Sequence, residues 1–415
     1  MRIIYFDYNN ECLPPLLRSF ELTRAAASLG HTVMLCLCHE RMRQYKWFFE
    51  MIVSVQTNDF IVSFNKPVSF LPSPPGEPSK IKAWKMVRSG VYANRFILPE
   101  IKKILAFKPD VIIARPDHVY SFLITSLFTR VPLVISPDGP IEELSAMHNY
   151  TPKWPIGFDL WRAKKAKAIL YINEICGNLW KKKGIPGDRL FLCPNGVDPE
   201  TFSPLKTEDR STLRKNLGFS DDEIVVGFCG NQRYWHGLHN LFKAFPLLRD
   251  SFPQTKMLIV GALENPDAAG VDMLPGPVRN NTVFTGPIEY PHMPRYMDAI
   301  DIMVMPYPKY PLFHFSPMKM FESLSMAKII VASAQGQVLE LLHGLPSAFL
   351  YDPEDENGLE NALHSACEAL MQNPALGETS RTFVKNGHSW RDRGKQVIAA
   401  CEYALRNGRL KRRTE

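Results

Sequence analysis

A fifteen-residue segment, HFSPMKMFESLSMAK at 314–328, carries residue types that could bind a phosphate and a sugar. Ser316 followed by proline is typical of a helix start, because the hydroxyl caps free amides and proline at the first helical position loses no hydrogen bond. The next two amides would then point outward beside the Lys319 ammonium, which makes an anion site at the positive end of a helix. One turn further on, the Glu322 carboxylate can accept two hydroxyls. This pattern indicates a sugar nucleotide, and the alternative is an ordinary capped helix.

Two other loops in the second half of the chain also follow apolar runs. The loop CGNQRYWHGL at 229–238 contains Arg233, whose planar guanidinium suits a diphosphate. The loop GALENP at 261–266 follows KMLIVG, as the segment 314–328 follows IDIMVMPY. Ligands of open α/β sheets bind beyond the carboxyl ends of the strands. We therefore expect the three loops to gather cationic and helix-end groups around one crevice.

The elements that must position these loops are short apolar runs separated by helix-length segments. Runs so apolar, with little alternation, predict parallel strands covered on both faces. Two successive series predict two doubly wound α/β domains, divided near the polar, turn-rich stretch 195–220. The predicted strands are 2–7, 31–38, 110–115, 132–137, 168–173, 189–194, 223–230, 256–261, 282–287, 300–307, 328–333 and 347–352.

Composition points to a globular, intracellular chain. At 415 residues and 45% hydrophobic content the chain can build two cores. It has no apolar run of membrane-spanning length and opens without a secretory signal pattern, so we expect a cytoplasmic protein. The eight cysteines fall mostly within apolar runs, as expected for reduced core thiols. Cys36, Cys38 and His39 make a poor zinc site, because no second ligand pair accompanies them.

The net charge of +7 is concentrated in the first half of the chain. Residues 1–200 hold 26 Lys and Arg against 18 Asp and Glu, a balance of +8, which leaves −1 for the rest. This suggests an anionic partner, either a membrane surface or an acidic acceptor, and a merely soluble basic surface is an equally open interpretation. The basic amphipathic stretch 81–105 could lie on a membrane or pack as a domain helix. The aromatic run 46–51 favours core or acceptor-loop packing over a membrane wedge.

Four motifs carry a resemblance to a known family. CPNGVDPETFSP at 193–204 matches an interdomain PNGVD-x-x-x-F-x-P signature, and VGFCGNQRYWHGLHNLFKAF at 226–245 looks like a phosphate-binding loop and its helix. A third motif of the family follows in the same order along the chain, as MKMFESLSMAK at 318–328. The fourth is similar to the family's C-terminal helix that crosses back to the first domain, and it is HSWRDRGKQVIAACEYAL at 388–405. Nearly the whole chain thus resembles glycosyltransferase family 4, retaining enzymes of the GT-B fold.

The resemblance assigns roles to single residues. Glu322 corresponds to the second glutamate of the family's E-x7-E motif, which holds the nucleotide ribose, while His314 stands where the first glutamate is expected. Arg233 corresponds to the diphosphate arginine, and His236 replaces a customary lysine, which Lys319 could compensate. Asp138 occupies a loop where many members have a histidine near the reacting carbon. The implied catalytic residues are Asp138, Arg233 and Glu322. The implied donor-binding residues are Gly230, Asn231, Arg233, His236, Gly261, Ile288, His314, Ser316, Pro317, Met318, Lys319 and Glu322.

The implied architecture is two Rossmann-like domains facing across a cleft. An acceptor domain at 1–200, a nucleotide-sugar domain at 201–387 and a returning helix with a basic tail at 388–415 are expected. The implied reaction transfers a hexosyl group, with retention, from a UDP- or GDP-sugar to a glycan, lipid-linked or small-molecule acceptor. We expect no metal, no cofactor and no nucleic-acid partner, with the protein cytoplasmic and peripheral at the inner face of the membrane. The alternatives are a catalytically weak GT-B carbohydrate-binding or scaffold subunit, and a related GT-B epimerase or phosphorylase.

Overall fold

The fold comes from a computed structural model, which describes residues 1–7, 13–38, 45–65, 97–115, 129–137, 160–231, 234–261, 274 and 276–410. The chain forms two compact units. The first is Met1–Pro194 together with Trp390–Glu415, and the second is Asn195–Ser389. The sequence analysis placed the corresponding divisions at 200 and 387.

The first unit is built on a seven-stranded sheet in the order β3-β2-β1-β4-β5-β6-β7. All of its strand pairs are parallel. The chain reverses its direction of winding between β1 and β4, which is a topological switch point. The strands are β1 Arg2–Asp7, β2 Thr32–Cys38, β3 Phe60–Asn65, β4 Val111–Ala114, β5 Leu133–Ile135, β6 Ala168–Tyr171 and β7 Leu190–Leu192.

Helices cover this sheet, and their apolar residues explain where each one packs. The described helices are α1 Leu13–Ser28, α2 Lys46–Ser54, α3 Ile97–Phe107, α4 Glu174–Lys182 and, from the end of the chain, α13 Trp390–Leu410. Ile104 and Phe107 of α3 and Trp180 of α4 are buried in one cluster with the strand residues. The helix α13 packs against α1 and several strands, and Gly394 permits this approach because a Cβ there would lie 2.8 Å from the Ala25 Cβ.

Two ambiguous segments of the first unit prove to be packing elements. In α2, Phe48 is buried with its ring centroid 5.6 Å from that of Phe20, as the core-packing interpretation of 46–51 predicts. The described end of the stretch 81–105 belongs to the domain helix α3, and residues 81–96 lie outside the described residues. No helix in the described ranges is both long enough and apolar enough to cross a membrane.

The second unit is built on a six-stranded parallel sheet in the order β10-β9-β8-β11-β12-β13. Its switch point lies between β8 and β11, so the loops after these two strands leave the sheet side by side. The strands are β8 Ile224–Cys229, β9 Thr255–Val260, β10 Thr282–Phe284, β11 Ile302–Met305, β12 Ile329–Ser333 and β13 Ala348–Tyr351. The central strands β8 and β11 are buried along their whole length, which is why they are so apolar.

Two apolar clusters enclose this second sheet, one on each side. The helices are α5 Thr207–Asn216, α6 Leu238–Ser251, α7 Gly276–Arg279, α8 Met293–Asp298, α9 Met318–Ser325, α10 Gly336–Leu342, α11 Gly358–Gln372 and α12 Glu378–Lys385. One cluster contains Phe321 and Leu324 of α9, and the other contains Leu241 and Phe245 of α6. The helix α9 follows β11 and is therefore anchored at the switch point.

The prediction of two doubly wound α/β domains is confirmed. Each of the twelve predicted strands is present, with ends that differ by up to a few residues. The strand β3, FIVSFN, was missed because it lies at the sheet edge, where Phe60 and Val62 are buried but Ser63 is only half-buried. The six described cysteines with placed side chains are free and buried, as expected for core thiols.

Candidate functional site

The start of α9 differs by one residue from the sequence prediction. The helix begins at Met318, so Pro317 and not Ser316 occupies the cap position, and no side chain caps the helix. The Ser316 hydroxyl is used elsewhere, because it accepts a hydrogen bond from the Asn195 amide at 2.9 Å. The Asn195 side chain also donates to the Ser316 carbonyl oxygen at 2.6 Å. The first amides of α9 therefore remain available to an outside acceptor.

The Lys319 ammonium lies just inside this helix start and is buried. Its Nζ lies 4.2 Å from the centroid of the Phe228 ring and 5.5 Å from that of Tyr307. Within the described part of the chain it has no hydrogen-bond partner. Burial lowers the pKa of Lys319 to about 8, and the nearby Glu322 carboxylate partly opposes this shift. A buried ammonium without a hydrogen-bonding anion is costly, and such perturbed groups are more common at ligand-binding sites than elsewhere.

A second buried lysine in the same unit shows what an ordinary structural lysine looks like. The Lys328 Nζ lies 3.1 Å from Oδ1 of Asp298 and 3.0 Å from the carbonyl oxygen of the same residue. Its charge is thus neutralised inside the fold. Among the residues that the structure describes, Lys319 has no such partner, and the contrast supports a binding role for it.

Two glycines bring the backbone of neighbouring loops close to Lys319. Gly230 directly follows β8 with φ +124°, and Gly261 directly follows β9 with φ +130°, conformations that favour glycine. A Cβ on Gly261 would collide with the Gly230 carbonyl oxygen, and a Cβ on Gly230 would lie 3.4 Å from the Lys319 Nζ. The missing Cβ at Gly261 thus lets the loops after β8 and β9 pack backbone to backbone, and the missing Cβ at Gly230 leaves its backbone open toward Lys319.

Glu322 faces the same region from one turn further along α9. It is 5% exposed, and Oε1 accepts a hydrogen bond of 2.7 Å from the Tyr290 hydroxyl. Burial raises the pKa of Glu322 to about 7, although the Tyr290 hydrogen bond and the Lys319 charge act in the opposite direction. Both ionisable groups of this helix therefore titrate near neutral pH, which is typical of functional sites.

His314 lies in a cluster of aromatic rings. The residue is 5% exposed, and its ring centroid is 4.5 Å from that of Phe315. The ring of Phe315 in turn contacts Tyr310 and Phe313, with centroids 5.5 and 5.2 Å apart. The imidazole is thus held rigidly between the end of β11 and the start of α9.

The remaining predicted donor residues of this unit lie on the adjoining loops. His236 is half-buried, and its Nδ1 lies 2.5 Å from the carbonyl oxygen of Asn231, which is itself exposed. Ile288 packs against the core cluster that contains Phe321. The backbone before it is fixed because Gly261 donates to the Gly286 carbonyl oxygen at 3.1 Å.

Two of the three predicted catalytic residues, Asp138 and Arg233, lie outside the described residues. Lys319, Gly230 and Glu322 lie at the switch point between β8 and β11, and Gly261 adjoins Gly230 from the loop after β9. In the described ranges, no three His, Cys, Asp or Glu side chains form a group that could hold a metal ion.

Sequence reasoning missed three polar features, two beside the start of α9 and one at the strand ends of the first unit. Tyr290, which contacts Glu322, and Asn195, which contacts Ser316, sit in segments with no charge pattern to reveal them. The third is a buried ion pair at the carboxyl ends of β1 and β4, in which the Arg115 Nε lies 3.6 Å from Oδ1 of Asp7. Ser19 donates to the other Asp7 oxygen at 2.5 Å. A carboxylate as the last residue of a buried strand was the available signal for this pair.

Two parallel doubly wound sheets, with an anion-ready helix start at the switch point of the second, define a GT-B type protein. Solved structures agree with this class. An Anabaena protein, HepE, in complex with UDP and glucose has a TM-score of 0.70 at 18% identity, over 96% of this chain and 98% of that one. A glycosyltransferase from Rickettsia africae has a TM-score of 0.73 at 14% identity, over 98% and 99% of the two chains. At these identities the likeness shows the fold.

Family models identify the group within this class. The model described as glycosyltransferase family 4 matches residues 18–201, and the model described as glycosyl transferases group 1 matches residues 223–369. The chain belongs to the group 1 glycosyltransferases of family 4.

A curated relative matches over a shorter segment. It is a GDP-mannose-dependent monoacylated alpha-(1-6)-phosphatidylinositol monomannoside mannosyltransferase of Corynebacterium glutamicum, 34% identical over 113 residues. The match covers 27% of this chain and 29% of the relative, so the chain spans well under two thirds of that protein's length.

Proposed function

We propose that this protein transfers a hexosyl group from a nucleoside diphosphate sugar to an acceptor, with retention at the anomeric carbon. The observation that carries the proposal is the buried Lys319 ammonium, which has no hydrogen-bonding partner among the described residues and lies beside the Gly230 backbone. A diphosphate placed at the start of α9 would satisfy both this charge and the free helix amides.

The proposed role of these groups is electrostatic. When the bond between sugar and diphosphate breaks, negative charge develops on the departing phosphate, and fixed cations and amides stabilise it without reorganising. The Lys319 ammonium and the amides of Met318 and Lys319 would supply this stabilisation. Arg233 is proposed to add a second cation. Acceptor attack on the same face, with the departing phosphate taking the acceptor proton, would give retention without a protein nucleophile.

Glu322 is proposed to hold the nucleotide ribose. A carboxylate accepts hydrogen bonds at two oxygens, and among the described residues the Tyr290 hydroxyl donates to Oε1. His314 and His236 are proposed to line the sugar and phosphate ends of the site, and Asp138 is proposed to act near the reacting carbon.

The relatives suggest substrate classes for the proposal. The Corynebacterium relative is named for GDP-mannose and a phosphatidylinositol monomannoside, and the Anabaena structure holds UDP. We therefore propose a UDP- or GDP-sugar as donor and a glycan, lipid-linked or small-molecule acceptor. Transfer is proposed to need no metal, and the protein is proposed to act in the cytoplasm, at the inner face of the membrane.

A thermal-shift screen of UDP, GDP and ADP tests the donor site, because a ligand that binds the folded state raises its melting temperature. We expect Lys319→Met to remove the shift produced by the preferred diphosphate. The matched control is Lys309→Met. Lys309 is an exposed lysine in the loop after β11, where it forms an ion pair with Glu354.

Turnover is tested by release of labelled sugar from UDP- and GDP-sugars, with and without EDTA. Unchanged release in EDTA supports metal-independent transfer. Nucleotide binding without any release or transfer would instead favour a binding or scaffold subunit. If no diphosphate binds and Lys319→Met behaves as the control does, the proposed site is wrong.

A further inference from the structure

The contact between Tyr290 and Glu322 joins two elements that are distant in sequence. Tyr290 begins the short turn Tyr290–His292 after β10, whereas Glu322 lies in α9. The Tyr290 hydroxyl donates to Oε1 of Glu322 at 2.7 Å. Only the tertiary fold produces this hydrogen bond.

The Tyr290 ring is fixed by its surroundings. Its centroid lies 5.6 Å from that of Phe202, a fully buried residue, and the ring packs on the core cluster that includes α9. The hydroxyl is therefore held in place before any ligand binds. A preorganised donor of this kind fixes the rotamer of the carboxylate that it contacts.

Within the described part of the chain, Tyr290 is the hydrogen-bond partner of one oxygen of Glu322, and the second oxygen is left for a ligand. We propose that Tyr290 is a positioning residue, which holds the Glu322 carboxylate toward the ribose hydroxyls of a bound nucleotide. This inference rests on the proposed function, because it requires a nucleotide at the start of α9.

The charge state of Glu322 gives the contact a measurable signature. The titratable groups that face the carboxylate are Tyr290, Lys319 and Cys229. Burial raises the pKa of Glu322 to about 7, and the Tyr290 hydrogen bond and the Lys319 charge hold that value down. Burial also raises the pKa of the Cys229 thiol, so that it stays neutral. Removal of the Tyr290 hydroxyl must then raise the pKa of Glu322 further and deplete its ionised form at neutral pH.

The experiment compares Tyr290→Phe with the wild-type protein in direct titrations with UDP and GDP between pH 6 and pH 9. Loss of a hydrogen bond to a charged group should raise the pKa of Glu322 by about one unit. The ionised fraction of Glu322 at pH 7, and with it the affinity of the variant, should then fall about fivefold. The two dissociation constants should converge to within about twofold by pH 9. The ratio of the two dissociation constants is compared at each pH. Lys319 loses its charge above pH 8 in both proteins, so this effect cancels in the ratio.

A second titration uses the 2′,3′-dideoxy forms of the same diphosphates. These lack the hydroxyls that Glu322 would bind, so the variant and the wild type should bind them equally at every pH. Tyr296→Phe is the matched control, because Tyr296 packs against the same cluster and should leave both titrations unchanged.

Three results would overturn the inference. An unchanged ratio at pH 7, a ratio that does not vary with pH, or an equal loss with the dideoxy nucleotides would each reduce Tyr290 to a packing residue. If the wild-type protein binds neither UDP nor GDP, the proposed function fails first, and the inference fails with it.

Discussion

At the scale of single residues, the site is a place where folding and binding have opposite demands. Lys319 and Glu322 are both buried and both shifted toward their neutral forms. Such shifts lower the stability of the empty protein, because burial disfavours the charged forms. A bound diphosphate and ribose would reverse this penalty.

This argument predicts that Lys319→Met stabilises the empty protein while it abolishes nucleotide binding. The pKa of Lys319 falls from 10.5 to about 8, and a difference of this size corresponds to about 3 kcal/mol. Below pH 8 the ammonium is charged in both states, so the full penalty is present. Between pH 8 and 10.5 only the folded state has lost the proton, and the penalty disappears.

Chemical unfolding at pH 7 and pH 10.5 measures the effect. We expect the variant to be more stable at pH 7, with a difference that shrinks toward pH 10.5. A variant that is less stable at pH 7, or equally stabilised at both pH values, would contradict the assignment of a penalised ammonium.

At the scale of elements, the start of α9 is held from outside the helix. Asn195 donates two hydrogen bonds to Ser316, one from its backbone amide and one from its side chain. At the other end of α9, Ser325 donates to the Phe202 carbonyl oxygen at 2.7 Å. The position of the proposed diphosphate site is thus determined by the segment that begins the second unit.

We predict that Asn195→Ala weakens nucleotide binding, although Asn195 lies outside α9, the helix at which the diphosphate is proposed to bind. Loss of its side-chain hydrogen bond leaves the Ser316 carbonyl oxygen unsatisfied and should reduce stability by about 1–3 kcal/mol. The start of α9 would then be less well ordered, and UDP or GDP affinity should fall.

Ser316→Ala removes the other hydrogen bond between these two residues, the one from the Asn195 amide to the Ser316 hydroxyl. The two single variants and the double variant together form a double-mutant cycle. Non-additive losses of nucleotide affinity, measured by calorimetry, would support a shared effect on the helix start. Additive losses, or stability losses without an effect on affinity, would contradict it.

At the scale of the whole molecule, the excess of positive charge lies in residues 1–200, whereas exposed apolar residues occur in both units. Leu105 is 60% exposed and Trp161 is 44% exposed, while Lys164 and Lys165 beside the latter are also exposed. Ile104, next to Leu105, and Ala163, two positions after Trp161, are buried in one cluster, so both segments cover the same face of the sheet. An amphipathic, basic face of this kind suits an anionic lipid surface.

The proposed membrane association predicts that the protein sediments with anionic liposomes at low salt and is released as salt increases. Lys164→Glu with Lys165→Glu should reduce sedimentation, because each lysine near such a surface contributes about 1 kcal/mol. The control pair is Lys206→Glu with Lys215→Glu, two exposed lysines of the second unit. No sedimentation at low salt, or an equal loss in the control pair, would rule out this face as the membrane contact.

The sequence by itself determined the architecture and the family. Buried parallel strands need uninterrupted apolar runs, so strands such as Ile224–Cys229 and Ile302–Met305 are visible as local patterns. The edge strand Phe60–Asn65 escaped because half of its residues are not buried. The motif around Lys319 and Glu322 could also be recognised from the sequence, because a helix start and a residue one turn later are close together in the chain.

Only the tertiary structure decided how the site residues are used. It replaced the predicted Ser316 cap with a hydrogen bond from Asn195, and it placed Lys319 against Phe228 without a hydrogen-bonding partner among the described residues. It also joined Tyr290 to Glu322 across 32 positions. Burial and hydrogen-bond partners depend on segments far apart in sequence, and desolvation, which tunes both ionisable groups, exists only after those segments have packed together.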